Sequence, residues 1–272
     1  MRWFVCIFLL LFLSRASFGE IIEVQNLDLL REMTREFEEG DLVIFDFDKT
    51  LLTVKDAVLL PCGKQCLAGR IHMYAPGISS EKTEDLVSII LLSREMQLVE
   101  KQAPEVIEEI QNQGIKVMVC TALRPGKFGR IPKTELWRLG ELDRFGLNFR
   151  NAFPGVFVEL DHFAAVPFPP VLIEGVFASG WIRKGEALAH LFNILDYKPK
   201  RVIFIDNSLS HHESVEKWME ALEIPYLGLY YTAYKNHIQE VDEDLASFQI
   251  QYLINHERWL SDEEAKAEMT KE

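Results

Sequence analysis

The sequence predicts an α/β fold, with a parallel sheet covered by helices on both faces. Three observations carry this prediction. Short apolar runs recur at Asp41–Asp46 (DLVIFD), Ile115–Cys120 (IKVMVC) and Arg201–Asp206 (RVIFID). Segments with helical apolar spacing separate them. The runs themselves lack polar alternation, as strands buried on both faces do. Alternation of this kind yields three layers in a Rossmann-like arrangement.

The chain has 272 residues, enough for one large domain carrying an insert. Arg2 precedes an apolar run, Trp3–Leu13 (WFVCIFLLLFL), and Ser17 and Gly19 are small residues two apart. This pattern predicts a signal peptide over residues 1–19, cut near Gly19–Glu20. The run is about half the roughly 20 residues that a bilayer-spanning helix needs. The expectation is export to a periplasm or to the medium, with no stable membrane span after cleavage.

Helical signals follow from about Asn26 to Glu38 and stop at Gly40, just before the first strand. Helical patterning returns over Lys82–Gln97 and Pro104–Gln113. Pro104 suits a first helical turn and Gly114 a helix end. After the second strand, Lys133–Phe145 reads as helix, Val156–Leu160 as extended, and Val166–Gly180 as a hairpin or loop. Lys184–Leu195 is amphipathic, His212–Leu222 is helical and Tyr226–Tyr231 is a strand. The tail from about Asp242 is helical and charged. Residues 20–53 and 104–272 are assigned to the core, and 54–103 to a small helical cap inserted after the first strand. Arg70, His72 and Tyr74 are the cap's candidate substrate contacts.

Apolar residues make up 48% and charged residues 26%, a soluble globular balance that excludes global disorder and a multi-span membrane protein. The net charge is −13. Losing residues 1–19 removes Arg2 and Arg15 and no acid, leaving 27 basic against 42 acidic residues, or −15. That acidity argues against nucleic-acid partners, and any anionic ligand must be held locally. Four cysteines are too few for a disulfide-built scaffold. Cys62 and Cys66 fit either a local disulfide or free thiols, and Cys120 reads as a buried strand residue.

Ligands of open parallel sheets bind beyond the carboxyl ends of the strands. Polar residues collect there: Asp46 and Asp48 after the first run, Thr121 after the second, Asp206 and Asn207 after the third. Lys184 opens the helix before the third. Two acids two apart can face one centre if the backbone turns. One can attack phosphorus while the other moves the leaving-group proton. Such acids repel an anionic substrate unless a divalent cation is present, and an oxygen-only ligand set suits Mg²⁺. Lys184 can neutralise a phosphoryl intermediate, and the Thr121 hydroxyl can donate to a phosphoryl oxygen.

These motifs resemble the haloacid dehalogenase (HAD) superfamily of aspartate-nucleophile phosphotransferases. Asp46, Asp48 and Thr50 match its D-x-D-x-T motif, Thr121 its second motif, Lys184 its third and Asp206 its fourth. The order and strand context agree over roughly residues 40–235. The surrounding wording (VIFDFDKTLL, CTALRP, KGEAL, FIDNS) resembles an uncharacterised branch found in bacteria with intracellular lifestyles. The resemblance implies a HAD-like fold and a small phosphorylated substrate. It implies Asp46 as nucleophile and metal ligand, Asp48 as acid/base and metal ligand through its backbone carbonyl, and Asp206 as the remaining metal ligand. An acid at the position of Asp48 favours phosphoryl over carbon–halogen chemistry. One departure stands out: Asn207 and Ser210 occupy the two positions where a second acid often sits. Beside hydrolysis stand two alternatives: transfer to an acceptor other than water, and a scaffold that binds without turnover.

Arg124 lies three residues past Thr121, in the strongest basic cluster of the chain, and is a candidate contact for a substrate anion. The adjacent His211 and His212 would lie on different helix faces, so they do not make a zinc pair. Ser210 with Glu213 fits a capping box.

Overall fold

In a computed structural model, the described residues are 19–61, 64–163 and 166–271. The expected signal segment, except its last residue Gly19, and Cys62 lie outside them. The elements run β1 (Gly19–Val24), α1 (Leu27–Met33), β2 (Asp41–Phe45), β3 (Leu52–Val54), α2 (Lys64–Tyr74), α3 (Ser80–Ser93), β4 (Met96–Leu98), α4 (Ala103–Asn112) and β5 (Lys116–Thr121). They continue as α5 (Thr134–Arg144), β6 (Phe157–Glu159), β7 (Val171–Ile173), β8 (Val176–Ala178), α6 (Lys184–Ile194), β9 (Arg201–Asp206), α7 (Leu209–Ala221), β10 (Tyr226–Tyr231), α8 (Glu243–His256) and α9 (Asp262–Met269).

Eight strands form one mostly parallel sheet in the order β1-β10-β9-β2-β5-β8-β7-β6. Alternate residues of β2 supply the two faces. Val43 and Phe45 join a cluster with Leu30 of α1, Ile107 of α4 and Leu142 of α5. Leu42 and Ile44 join another with Leu188 of α6 and Val215 of α7. The chain is therefore an α/β protein with helices on both faces of a central sheet. The buried strands are apolar throughout because neither face meets water.

The segment expected as a hairpin or loop does form a hairpin, β7–β8, and its second strand pairs parallel to β5. β6 then pairs antiparallel to β7 and ends the sheet. β1, which the sequence reading did not anticipate, pairs parallel to β10 at the opposite edge. Pro104 does sit in the first turn of α4, and Gly114 follows that helix with φ of +80°. The helix expected from His212 starts earlier, at Leu209, and its cap is Ser208, with no side-chain capping bond. The expected Ser210–Glu213 box is therefore absent. The Asp206 carboxylate instead accepts from the Ser208 amide at 2.8 Å.

The inserted segment contributes α2, α3 and β4, which pairs with β3 in a two-stranded ribbon. Its apolar residues, Leu67, Ile71 and Leu86 among them, share one cluster with Ile250 and Leu253 of α8 and with Trp259. The C-terminal helices, expected with the core, thus pack on the insert. Arg70 forms two bonds to Glu243 of α8, at 2.8 and 3.0 Å. Tyr74 bonds Ser247 at 2.7 Å. These two candidate contacts are occupied in that attachment, whereas His72 lines a cavity. Cys66 is disulfide-bonded, so it is not a free thiol.

Candidate active site

The three central strands deliver their polar ends side by side. Phe45 of β2 pairs with Ile205 of β9 and with Val119 of β5. The next residues, Asp46 and Asp206, therefore emerge as neighbours, with Thr121 one step beyond on the other side. The Asp46 amide bonds the Ile205 carbonyl at 2.8 Å, so the chain is still pinned where the acid projects. A tight turn follows at once. The Phe47 carbonyl accepts from Leu51 and Leu52 at 3.0 and 3.1 Å, and Lys49 takes a left-handed φ of +65°. The turn that two acids two apart require is therefore present.

Lys184, at the head of α6, lies between the two carboxylates. Its Nζ is 2.5 Å from Asp46 Oδ1 and 2.7 Å from Asp206 Oδ2. All three side chains are buried, Lys184 to 1% exposure and Asp206 to 0%. A first-turn lysine would ordinarily be solvated. This one is drawn inward because α6 lies close on α7. A Cβ on Gly185 would stand 2.0 Å from the Ser214 carbonyl oxygen. The Thr50 hydroxyl donates to Asp46 Oδ2 at 3.3 Å, fixing the second oxygen of that acid.

Two carboxylates sharing one ammonium leave a net negative charge in a buried place. Burial raises the Asp46 carboxyl to about 6, against the opposing pull of Lys184. Burial alone would raise Asp206 as well, but Lys184 and His211 outweigh it and hold that carboxyl down. Burial would lower Lys184, but Asp206 and Asp46 hold it above its ordinary value. Among the described residues, no three His, Cys, Asp or Glu side chains converge as a ready-made metal cage. The donor chemistry nonetheless fits a hard divalent cation that keeps several waters and takes few carboxylates. Asp46 and Asp206 supply two acids with one positive charge between them.

Asp48 stands apart from this group, with its side chain about half exposed. It accepts from Arg138 of α5 at 3.2 Å. Thr121 is buried at 1% exposure and lines the same cavity of about 340 Å³ as Asp46, Asp48 and Arg138. A second cavity, of about 630 Å³, shares Asp48 and Arg138 and extends past His72, Phe128 and Trp181. Arg124 lines this second cavity rather than the first. Glu84 of the insert holds it at 2.7 and 3.1 Å, and the Lys127 carbonyl accepts from it at 2.7 Å. The structure therefore joins Asp46, Lys184, Asp206 and Thr121, sets Asp48 beside them on Arg138, and places Arg124 next door.

A family model described as "Protein of unknown function (DUF2608)" matches residues 23–266. The chain belongs to that family. An uncharacterized protein of Rickettsia prowazekii is 22% identical over 268 residues, covering 97% of this chain and 96% of the relative. One from Rickettsia bellii is 27% identical over 245 residues, covering 82% and 81%. A Chlamydia trachomatis protein named "Putative outer membrane protein" is 27% identical over 268 residues, covering 94% and 95%. No solved structure matches. No helix among the described residues of this DUF2608 chain is long and apolar enough to cross a membrane.

Sequence reasoning missed three partners of the site. His211 Nδ1 lies 2.9 Å from Asp206 Oδ2, and His212 Nε2 lies 3.0 Å from the Asp206 carbonyl oxygen. The two histidines do use different faces, and both serve one aspartate. Arg138 was visible only as one charge in a basic cluster. Its i,i+3 spacing to Glu141 was the available signal, since that spacing lets a helix pair a guanidinium with a carboxylate.

Proposed function

We propose that this DUF2608 chain is a Mg²⁺-dependent phosphomonoesterase of HAD type, working through an aspartyl-phosphate on Asp46. The observation that carries the reading is the single Lys184 ammonium bridging Asp46 and Asp206 at the carboxyl edge of the sheet. An Asp46 oxygen attacks phosphorus, forming an O–P bond as the ester P–O bond breaks. Asp48 gives its proton to the departing alkoxide. In the second half Asp48 takes a proton from water. The water oxygen bonds phosphorus, and the Asp46–phosphorus bond opens to release phosphate. Lys184 offsets the charge on the phosphoryl oxygens, and the Thr121 hydroxyl donates to one of them. The carboxylates of Asp46 and Asp206 and the backbone carbonyl of Asp48 would hold Mg²⁺. Held there, Mg²⁺ would supply charge neutralisation of the acids and orientation of the phosphoryl group. The apolar run Trp3–Leu13 and the name of the Chlamydia relative support export, to a periplasm or to the medium.

The test uses residues 20–272 with an aryl phosphate. Turnover should need Mg²⁺ and stop on chelation, and Asp46→Asn should lower kcat by about 1000-fold or more. Turnover that survives Asp46→Asn sinks the reading. Absent turnover with intact Mg²⁺ binding favours a scaffold that binds without catalysis.

A further inference from the structure

Beside Asp48 lies a cationic pair that the proposed chemistry does not use. Arg138 of α5 stacks its guanidinium on the Phe47 ring, 3.6 Å from the ring centroid, and donates to Glu141 at 2.8 Å. Arg94, which follows α3 in the insert, reaches the same carboxylate at 3.5 Å. Glu141 is 1% exposed, and the Arg138 and Arg94 side chains are 3% and 9% exposed. Both Nε–H groups are buried without a hydrogen-bond partner. Burial also pulls the Arg94 guanidinium below its ordinary value, a sign that its charge is under-compensated.

Two guanidinium groups therefore share one buried carboxylate, and both line the cavity that contains Asp46. The exposed Arg144 also lies 3.9 Å from Glu141, and Asp48 bonds Arg138. Asp48 is about half exposed, so the buried compensation of the Arg94–Arg138 pair comes from Glu141, and two buried guanidinium groups set against one buried carboxylate leave positive charge at the cavity wall. Unpaired buried cations are costly, and guanidinium groups bind carboxylate and phosphate oxygens well.

We infer that the substrate carries a second anionic group on its leaving portion, a carboxylate or a phosphate, which Arg138 and Arg94 bind while Asp46 and Lys184 engage the phosphoryl group to be cleaved. The inference rests on the phosphatase reading for the first anion and adds the class of the leaving group. It also gives the insert a part in selectivity, because Arg94 belongs to the insert and Arg138 to the core.

The experiment compares two non-hydrolysable probes by calorimetry, phosphonoacetate and methylphosphonate, on the mature chain with Mg²⁺. Phosphonoacetate should bind about tenfold more tightly or better, as a charge-assisted contact implies. Arg94→Gln should erase that preference while leaving methylphosphonate binding unchanged. Arg94→Lys should restore part of it. Equal binding of the two probes by the unaltered protein overturns the inference, even where a variant fails to fold. Aryl phosphate turnover, measured alongside, separates the two levels. Turnover without the preference removes the second-anion site alone. No turnover and no binding of either probe removes both readings.

Discussion

At the scale of single residues, Lys184 governs the site. Its ammonium contacts both buried acids, so removing it strands two negative charges. Lys184→Met should destabilise the fold by about 3–5 kcal/mol in urea unfolding, and adding Asp206→Asn should recover part of that loss. A change within 1 kcal/mol, on the order of an exposed ion pair, would contradict the geometry. His212 supplies a pH dependence. Burial lowers its pKa, and it bonds Tyr226 and the Asp206 carbonyl as a neutral ring. The unfolded chain therefore takes up the proton first as pH falls. The stability this residue contributes is present above about pH 6.5 and is lost below it. Thermal melting from about pH 7 to pH 5 should show the decline, and His212→Gln should flatten it. Asp46, Thr121, Lys184 and Asp206 were legible because each ends an apolar strand or opens an amphipathic helix. Arg138 was not, because what marks it is the ring of Phe47 beneath it, supplied from 91 residues away in the chain.

At the scale of elements, the α6–α7 contact sets where Lys184 points. Gly185 permits it, since any Cβ there meets the Ser214 carbonyl at 2.0 Å. Gly185→Ala should cost about 1–3 kcal/mol and also lower turnover, because α6 must shift and carry Lys184 with it. Unchanged melting temperature and kcat would refute this link. The long, periodic helices and the three apolar strands were readable from spacing alone. The ribbon β3–β4 was not, because three-residue strands carry no usable periodicity. β1 was missed because its sequence, GEIIEV, is short and only half apolar. The start of α7 was misplaced because its N-cap residue, Ser208, makes no side-chain capping bond and its amide is instead held by Asp206, a strand-end acid.

At the scale of the whole molecule, the insert is held by the end of the chain. Asp56 accepts from Trp259 Nε1 at 2.9 Å and from the Asp262 amide at 3.2 Å. Trp259 is 3% exposed within the insert's apolar cluster. Trp259→Ala should lower stability by about 3–5 kcal/mol and make the insert more susceptible to limited proteolysis than the sheet. Loss of protection at the sheet first would show that the C-terminal helices brace the core instead. This attachment joins partners about 200 residues apart, and local pattern reading cannot see it. The acidic balance of −13 takes on a local meaning as well. Against that balance, Arg138 and Arg94 line the cavity that contains Asp46, and Lys184 pairs with Asp46 itself. The most direct test of the account is to trap the phosphorylated enzyme. The protein is mixed with Mg²⁺ and a phosphate ester, quenched in acid, reduced with borohydride and mapped by peptide mass spectrometry. The account predicts reductive modification at Asp46 and nowhere else, lost in Asp46→Asn. Steady turnover with Asp46 unmodified, or with the label on another residue, would contradict it.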